Sequence, residues 1–363
     1  MTKMIANFAC AAALFLALIA SVPGQLNIQA IDVAGDSISK GFNAASQFPC
    51  SNGDQEQFNW MTSDTHGTSL CGRGPENVFS FTERLECDLN TNIIAANPNR
   101  AASGARMLSD FVNQANGMRT FLNAQPNPRL AAVFLGHNDG CSTTLTKVNA
   151  SCPTADQDQN NYCRTRNDAF EREFRKGLDI LVTVANTRIG VSSPVRVSQL
   201  CNFGSKSNCQ LIGNCTFLWN SVNICGSMTR GCSDAQVIDA YNTMKGYREI
   251  MKRVSADYAA VPEGGQTPVV MIGGEMVGGS TKAAGTHFVY SDAAWFYRFN
   301  SEQISCCDCF HPSALGQDTL ARFAKDGLTC SKTAPCCRET GDPLSDAKCL
   351  TNERKRTFYR GIY

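Results

Sequence analysis

The chain has 363 residues, of which 43% are hydrophobic and 18% are charged. This is the composition of a globular protein, and it excludes a collagen, a coiled coil and a disordered chain. Because 33 basic residues are balanced by 32 acidic ones, the formal net charge is only +1, and no overall field exists that would attract nucleic acid or an anionic membrane.

The first 24 residues predict a secretory signal peptide. Lys3 is followed by an apolar run at 8–20, and small residues then suit cleavage by a signal peptidase. The run is too short for a transmembrane helix, which needs about 20 apolar residues. We therefore expect that residues 1–24 are removed, that residues 25–363 form a single extracellular domain, and that no segment crosses a membrane.

Cysteine is the unusual component, with 19 residues in the chain. Removal of residues 1–24 takes away only Cys10, and the even number that remains fits complete pairing in disulfides in an oxidising compartment. Structural zinc is the alternative for the cysteines at 306–309 and 336–337, but neither cluster has a second pair at zinc-finger spacing. We expect disulfides and no metal.

Apolar runs alternate with amphipathic segments along the chain. The apolar runs predict five strands, at 28–34, 92–96, 130–135, 195–200 and 267–272. Helical spacing of apolar residues predicts helices at 78–85, 169–187, 234–258 and 312–325. The third of these would be capped by Ser233 or Asp234. Strands joined by helices predict a doubly wound, five-stranded parallel α/β sheet.

Three segments interrupt this alternation. Residues 201–232 contain five cysteines and residues 330–363 contain four, and we expect both to be disulfide-stapled loops rather than domains. Residues 273–300 are rich in glycine and then in aromatic side chains, which favours a lid packed on the core over a ligand pocket. Asn149 and Asn214 begin Asn-x-Ser/Thr triplets, which are compatible with glycosylation of surface loops in a eukaryotic host.

Four loops contain polar residues of the types used in acyl transfer. In a doubly wound sheet, the loops at the carboxyl ends of the strands meet at one edge. Each motif alone is weak evidence, because such residues also form ordinary turns. Together they supply a nucleophile, a base, a carboxylate that orients the base, and donors for an oxyanion. The motifs are Gly35-Asp36-Ser37, Ala102-Ser103-Gly104-Ala105, Gly136-His137-Asn138-Asp139 and Asp308-Cys309-Phe310-His311.

These motifs resemble the four blocks of the SGNH hydrolases, also called the GDSL esterase and lipase family. The block residues Ser, Gly, Asn and His occur in that order, and the resemblance spans residues 28–320. Ile38 departs from the name motif, which has leucine there. The resemblance implies the flavodoxin-like sheet topology of that family, and the absence of Gly-x-Ser-x-Gly counts against an ordinary α/β-hydrolase.

The resemblance also implies a role for each matched residue. Ser37 would be the nucleophile, His311 the base, and Asp308 the carboxylate that fixes the imidazole. The oxyanion hole would consist of the amides of Ser37 and Gly104 and the side chain of Asn138. No cofactor is implied. The other histidines, expected to be bystanders with His137 at the edge of the site, are His66, His137 and His287.

Cysteines crowd two of the matched loops. Three of them lie within 306–309, around Asp308, and Cys141 follows Asn138 by three positions. We expect disulfides there to stiffen the catalytic loops. Redox catalysis by the C-x-x-C motif within 306–309 is disfavoured, because such a motif should open a helix after a strand.

The resemblance implies hydrolysis of carboxylic esters by a secreted serine esterase or lipase, through an acyl-enzyme. The Asp-Cys-Phe-His motif and the cysteines behind the asparagine block are similar to phospholipase-B-like members, which favours lipid esters. A carbohydrate O-acetylesterase is the alternative, so the expected partner is a small-molecule, lipid or acylated carbohydrate ester. The alternative of another class is a catalytically inactive, secreted binding protein on the same scaffold.

Overall fold

The computed structural model describes residues 28–63, 69–71, 78–141, 163–209, 213–222, 224–326, 336–337, 339–350 and 352–353. Outside them lie the predicted signal peptide at 1–24, His66, Asn149 and most of the cysteine-rich region 330–363. Among the described residues, no helix is both long enough and apolar enough to cross a bilayer.

Five strands form one sheet in which every neighbouring pair is parallel. The strands described up to residue 291, in chain order and including two outside this sheet, are β1 (Ala30–Gly35), β2 (Ile94–Ala95), β3 (Arg129–Phe134), β4 (Thr187–Ser192), β5 (Val270–Ile272), β6 (Glu275–Val277) and β7 (His287–Ser291). The order across the sheet is β2-β1-β3-β4-β7, while β5 and β6 form a separate antiparallel pair. Every residue of β1 and β3 is buried, as in strands covered on both faces. The predicted five-stranded parallel sheet is confirmed.

Helices cover the sheet in two layers. The helices are α1 (Phe81–Leu89), α2 (Phe111–Asn123), α3 (Asn167–Leu181), α4 (Cys215–Val222), α5 (Gly226–Thr229), α6 (Asp234–Ala259), α7 (Ala293–Phe296), α8 (Ala314–Asp326) and α9 (Pro343–Lys348). Helices α2, α3 and α6 lie side by side, whereas α1 packs on α8. This division agrees with the right-handed crossover rule, by which the helices change face where the strand order reverses after β2. A short pair of strands, β8 (Cys336–Cys337) and β9 (Asn352–Glu353), lies near the end of the chain.

Local sequence explains where the main helices start and which face they bury. Ser80 forms a capping box with Glu83 at the start of α1, and Ser233 accepts the amide of Gln236 at the start of α6. Of the two predicted caps of α6, Ser233 is therefore confirmed.

Helix α3 buries its apolar stripe completely, including Phe174, whose ring stacks 5.9 Å from that of Phe111 on α2.

The predicted strand at 195–200 is wrong. Residues Val197–Phe203 form a 3-10 helix, and the fourth strand is β4 at Thr187–Ser192. The helix predicted at 169–187 extends into the first residue of β4, whereas α3 ends at Leu181. Arg188 and Gly190 interrupt the apolar run of β4, and this made the strand hard to recognise from hydrophobicity.

The predicted strand at 267–272 is wrong as the fifth strand of the main sheet. Only residues 270–272 of this run form a strand, β5, which pairs with β6 through a turn at Gly273 and Gly274, both at positive φ. The fifth strand of the main sheet is β7, within the segment expected to be a lid. The aromatic residues after β7 are buried in the core, so the predicted packing is confirmed; they are Trp295, Phe296, Tyr297 and Phe299.

Seven disulfides join cysteines of the described residues. Every cysteine of the 306–309 cluster is paired, so the expectation of disulfides is confirmed there. A sulfur in a disulfide is not a thiolate, so these cysteines are not available as zinc ligands. The pairs are Cys50–Cys307, Cys71–Cys87, Cys141–Cys225, Cys201–Cys232, Cys209–Cys306, Cys215–Cys309 and Cys337–Cys349.

Candidate active site

Ser37 lies in the loop that leaves the carboxyl end of β1. Asp36 accepts the amide of Ile38 at 3.0 Å and caps the 3-10 helix Ser37–Lys40. Gly35 is required before it, because a Cβ there would collide with the side chain of Ser39. The hydroxyl of Ser37 is thereby held at the end of the strand, on the wall of a cavity.

His311 and Asp308 reach this serine from the turn before α8. Nε2 of His311 lies 2.7 Å from Oγ of Ser37, and its Nδ1 lies 2.7 Å from Oδ2 of Asp308. The other carboxylate oxygen of Asp308 accepts the amides of Phe310 and His311, at 2.9 and 3.0 Å. The structure therefore brings together the three residues predicted to form the triad, in one chain of hydrogen bonds.

Asn43 is a neighbour of Asp308 that sequence reasoning missed. Its side-chain amide donates to Oδ2 of Asp308 at 2.7 Å, and its own Oδ1 accepts the amide of Gly53 at 3.1 Å. Burial alone would raise the pKa of Asp308, but the His311 imidazole and the hydrogen bonds from His311 and Phe310 hold that pKa below its ordinary value. No motif singled out Asn43, which lies in the loop after Ser37.

Gly104 and Asn138 line the same cavity as Ser37. Gly104 has a φ of +81°, and a Cβ built there would meet nothing within 4 Å, so its backbone is open to the cavity. Asn138 uses one amide hydrogen to bind the carbonyl of Ala105 at 3.1 Å. Its second amide hydrogen remains for another acceptor. The predicted oxyanion residues are thus brought to one cavity wall.

Asp139 ties the loop of Gly104 to the loop of Asn138. Its fully buried carboxylate accepts the amides of Met107 and Leu108, at 2.7 and 3.3 Å, and the hydroxyl of Thr165. Burial raises the pKa of Asp139, against the opposing effect of Arg106 and of these hydrogen bonds. The Gly-x-Asn-Asp motif was the available signal for this residue, although no role was assigned to it.

The cavity has a volume of about 550 Å³ and a mixed surface. Polar side chains lie beside the serine, while apolar side chains and the Cys141–Cys225 disulfide form much of the remaining wall. The apolar residues are Phe42, Leu218, Ile224 and Phe310. A pocket of this size and composition is typical of a small-molecule site.

Disulfides fix two of the four loops that contain the predicted functional residues. Three of them leave the turn Cys306–Cys309 for three different segments of the chain, at Cys50, Cys209 and Cys215. A fourth joins Cys141, behind Asn138, to Cys225. The expected cross-linking of these loops is confirmed by the pairing.

The family of the chain follows from a comparison with protein-family profiles. The profile described as GDSL-like Lipase/Acylhydrolase matches residues 31–323. The chain belongs to this family. It is therefore an ester-bond hydrolase by class, and all four motifs of the GDSL-like enzyme lie within the matched residues.

Solved structures similar to this GDSL-like enzyme are distant in sequence. An extracellular lipase from Streptomyces rimosus is 14% identical, with a TM-score of 0.31, over 80% of this chain and 94% of that one. A family two carbohydrate esterase from Clostridium thermocellum, in complex with cellohexaose, is 12% identical, with a TM-score of 0.31, over 82% and 62%. A further carbohydrate esterase, with divergent catalytic and non-catalytic binding functions, is 12% identical, with a TM-score of 0.30, over 81% and 66%. The comparison with curated proteins found no significant match.

Proposed function

We propose that this GDSL-like hydrolase is a secreted serine esterase that cleaves carboxylic esters through an acyl-enzyme. Ser37 attacks the ester carbonyl while His311 takes the hydroxyl proton and later gives a proton to the leaving alcohol. Asp308 holds the imidazole in the tautomer that leaves Nε2 free to accept. Water then attacks the acyl-enzyme, with the same imidazole as base, and releases the acid.

One contact carries this proposal. Nε2 of His311 lies 2.7 Å from Oγ of Ser37, although 274 positions separate the two residues in the chain. A serine alcohol is a weak nucleophile unless a base within hydrogen-bond distance accepts its proton. The carboxylate of Asp308 on the opposite ring nitrogen completes the arrangement that such a base requires.

The negative charge that develops on the carbonyl oxygen would be met by three donors. These are the amides of Ser37 and Gly104 and the free amide hydrogen of Asn138, all on the wall of the same cavity. Such donors act on the transition state more than on the bound substrate, so they raise kcat.

A lipid ester is the substrate class that we propose. The cavity of about 550 Å³ is far larger than an acetyl group needs, and its apolar wall includes Leu218, Ile224 and Phe310. An acyl chain that leaves water for this wall gains roughly 0.8 kcal/mol for each buried methylene. A carbohydrate O-acetylesterase would not use this gain.

Labelling by a fluorophosphonate tests the catalytic part of the proposal. The probe reacts with an activated serine, so we expect it to label the native protein and not Ser37→Ala. Measurement of intact mass gives one adduct per chain when the site is active. A native protein that folds, binds lipid and resists the probe would instead be the inactive binding protein.

Substrate comparison tests the acyl group. We expect higher kcat/KM for long-chain than for acetyl p-nitrophenyl esters, and release of fatty acid from phosphatidylcholine but no acetate from acetylated xylan. Ile224→Trp narrows the cavity, so it should reduce the long-chain rate more than the acetyl rate. The matched control is Met271→Trp, on the exposed face of β5, which should change neither rate. Preference for acetylated xylan would establish the carbohydrate alternative.

Secretion is proposed from the disulfides and from the signal-peptide pattern at 1–24. Seven disulfides among the described residues are typical of an oxidising compartment. N-terminal sequencing of protein from the culture medium should begin at residue 25. Retention inside the cell with Met1 intact would contradict this part of the proposal.

A further inference from the structure

A second pair of histidine and aspartate lies directly behind the predicted active site. Nδ1 of His137 is 2.7 Å from Oδ2 of Asp36, and the two side chains are 3% and 0% exposed. Asp36 precedes Ser37 in the chain, and His137 precedes Asn138. Each member of the pair is therefore bonded covalently to a residue of the proposed oxyanion hole.

A backbone contact fixes the tautomer of His137. The amide of Val195 donates to Nε2 at 3.1 Å, and only an unprotonated ring nitrogen can accept this hydrogen. The ring proton is therefore on Nδ1, where it is donated to Asp36. The other oxygen of Asp36 accepts the amide of Ile38, so one carboxylate holds both the imidazole and the first turn after the serine.

The pair continues the link between two neighbouring strands beyond the end of their ladder. Strands β1 and β3 are parallel partners up to Gly35 and Phe134. Asp36 directly follows β1 and His137 follows the end of β3 by three positions, and their hydrogen bond joins the two loops there. The ring of Phe134 packs against the imidazole with centroids 4.7 Å apart, which limits its rotation.

We infer that Asp36 and His137 are positioning residues that set the spacing between the amide of Ser37 and the side chain of Asn138. Neither side chain is among those that line the cavity of Ser37, so their hydrogen bond acts through Ser37 and Asn138, the residues that follow them in the chain. This inference rests on the proposed function, because it needs Ser37 and Asn138 to stabilise one oxyanion. Loss of the bond should lower kcat with little change in KM, since the oxyanion exists only after the attack.

Two substitutions at His137 separate its two hydrogen bonds. The amide nitrogen of His137→Asn lies near the position of Nδ1 and can still donate to Asp36, whereas His137→Gln reaches the position of Nε2 and serves only Val195. We expect His137→Gln to lower kcat by about 10²-fold, as for a small displacement of a catalytic group, with KM unchanged. His137→Asn should keep at least about one tenth of the native kcat, because it retains the hydrogen bond to Asp36. Equal kcat for the two variants would overturn the inference.

Asp36→Asn provides a test that leaves His137 in place. The amide oxygen can still accept from Ile38, but the amide hydrogens now oppose the Nδ1 proton. The imidazole then moves its proton to Nε2, which opposes the amide of Val195. We expect a fall in kcat similar to that of His137→Gln, with a thermal midpoint within a few degrees of the native one. An unchanged kcat would contradict the inference.

A measurement on the native protein needs no variant to fold. The ¹⁵N–¹H correlation spectrum of the imidazoles should show a protonated Nδ1 and an unprotonated Nε2 for His137 at neutral pH. A ring protonated on Nε2 would overturn the inference even if the enzyme is fully active. Conversely, absence of Ser37-dependent hydrolysis in the native protein would refute the proposed function, and the two failures are thereby distinguished.

Discussion

The side-chain amide of Asn43 donates a 2.7 Å hydrogen bond to the same oxygen of Asp308 that binds His311. This oxygen thus has two donors, one of which is neutral and fixed by the loop after Ser37. A carboxylate with its acceptor positions filled has one preferred orientation, so Asn43 orients the imidazole through Asp308.

Substitution of Asn43 should reveal this role. Asn43→Gly suits the backbone, whose φ is +53°, but removes the donor, and we expect kcat to fall by about 10-fold, the loss typical of one hydrogen bond to a charged group. Asn43→Asp keeps the acceptor for Gly53 but places a second carboxylate against Asp308, which raises the pKa of Asp308. Steady-state kinetics from pH 4 to 9 should show the lower activity for Asn43→Asp. If Asn43 served only the loop, Asn43→Asp would be the milder change.

Asn138→Ala should reduce turnover without abolishing it. Removal of one oxyanion donor typically lowers kcat by about 10²–10³-fold, with KM little changed. Ser37→Ala should be worse, since it removes the nucleophile and leaves only binding and the remaining donors. Burst kinetics with p-nitrophenyl esters would measure both variants. An Asn138→Ala enzyme with native kcat would remove Asn138 from the oxyanion hole.

The Cys215–Cys309 disulfide should affect both stability and turnover. Replacement of both cysteines by alanine should lower the free energy of unfolding by about 2–4 kcal/mol and also lower kcat, because Cys309 lies between Asp308 and His311. The Cys337–Cys349 disulfide is the matched control, and its double alanine variant should lose stability but keep kcat. Urea unfolding and initial rates on the same samples would decide. A parallel loss of kcat in both variants would argue against a local effect on the catalytic turn.

Stability should depend on pH through Asp32, which is fully buried in β1. Burial raises its pKa to about 6, against hydrogen bonds from Val33 and Arg100 and the charge of Arg100. Because this pKa lies above its ordinary value of 3.8, the folded state binds the proton of Asp32 more tightly than the unfolded state does. The contribution of this proton to the free energy of unfolding is complete below about pH 4 and is lost as the pH rises through 6.

Asp32→Asn removes this titration. The free energy of unfolding of Asp32→Asn minus that of the native protein should therefore rise by about 3 kcal/mol from pH 4 to pH 8. Urea unfolding at pH 4, 6 and 8 measures the difference. Glu263→Gln, at an exposed position, is the control and should show no such trend. A constant difference for Asp32→Asn would contradict the raised pKa.

The four loops at the edge of the sheet could be predicted because their signals are local. Gly35 and Ser37, for example, belong to one turn, and the conformation of that turn follows from the residues themselves. The strands β4 and β7 were harder to recognise. The apolar run of β4 contains Arg188, and β7 lies among aromatic residues that resemble a packed loop, so tertiary pairing selected strands that hydrophobicity alone did not indicate.

Contacts between segments that are distant in the chain could not be predicted from the sequence. Asn43 and Asp308 are 265 positions apart, and no pattern in either segment indicates the other. The same holds for the disulfide partners of Cys307 and Cys309, since an even number of cysteines does not specify its pairing. His137 was expected to be a bystander at the edge of the site, and it is not among the residues that line the cavity of Ser37. Its hydrogen bond to Asp36 depends on the register of β1 and β3, which the sequence does not specify.

The three disulfides of the turn Cys306–Cys309 have a consequence for biogenesis. The acid and the imidazole of the site are built on a turn whose shape depends on links to Cys50, Cys209 and Cys215. Because a chain in a reducing compartment lacks these links, we expect the turn that contains Asp308 and His311 to reach its native shape only after the cysteines are oxidised. Formation of the three disulfides would then be a maturation step that precedes activity.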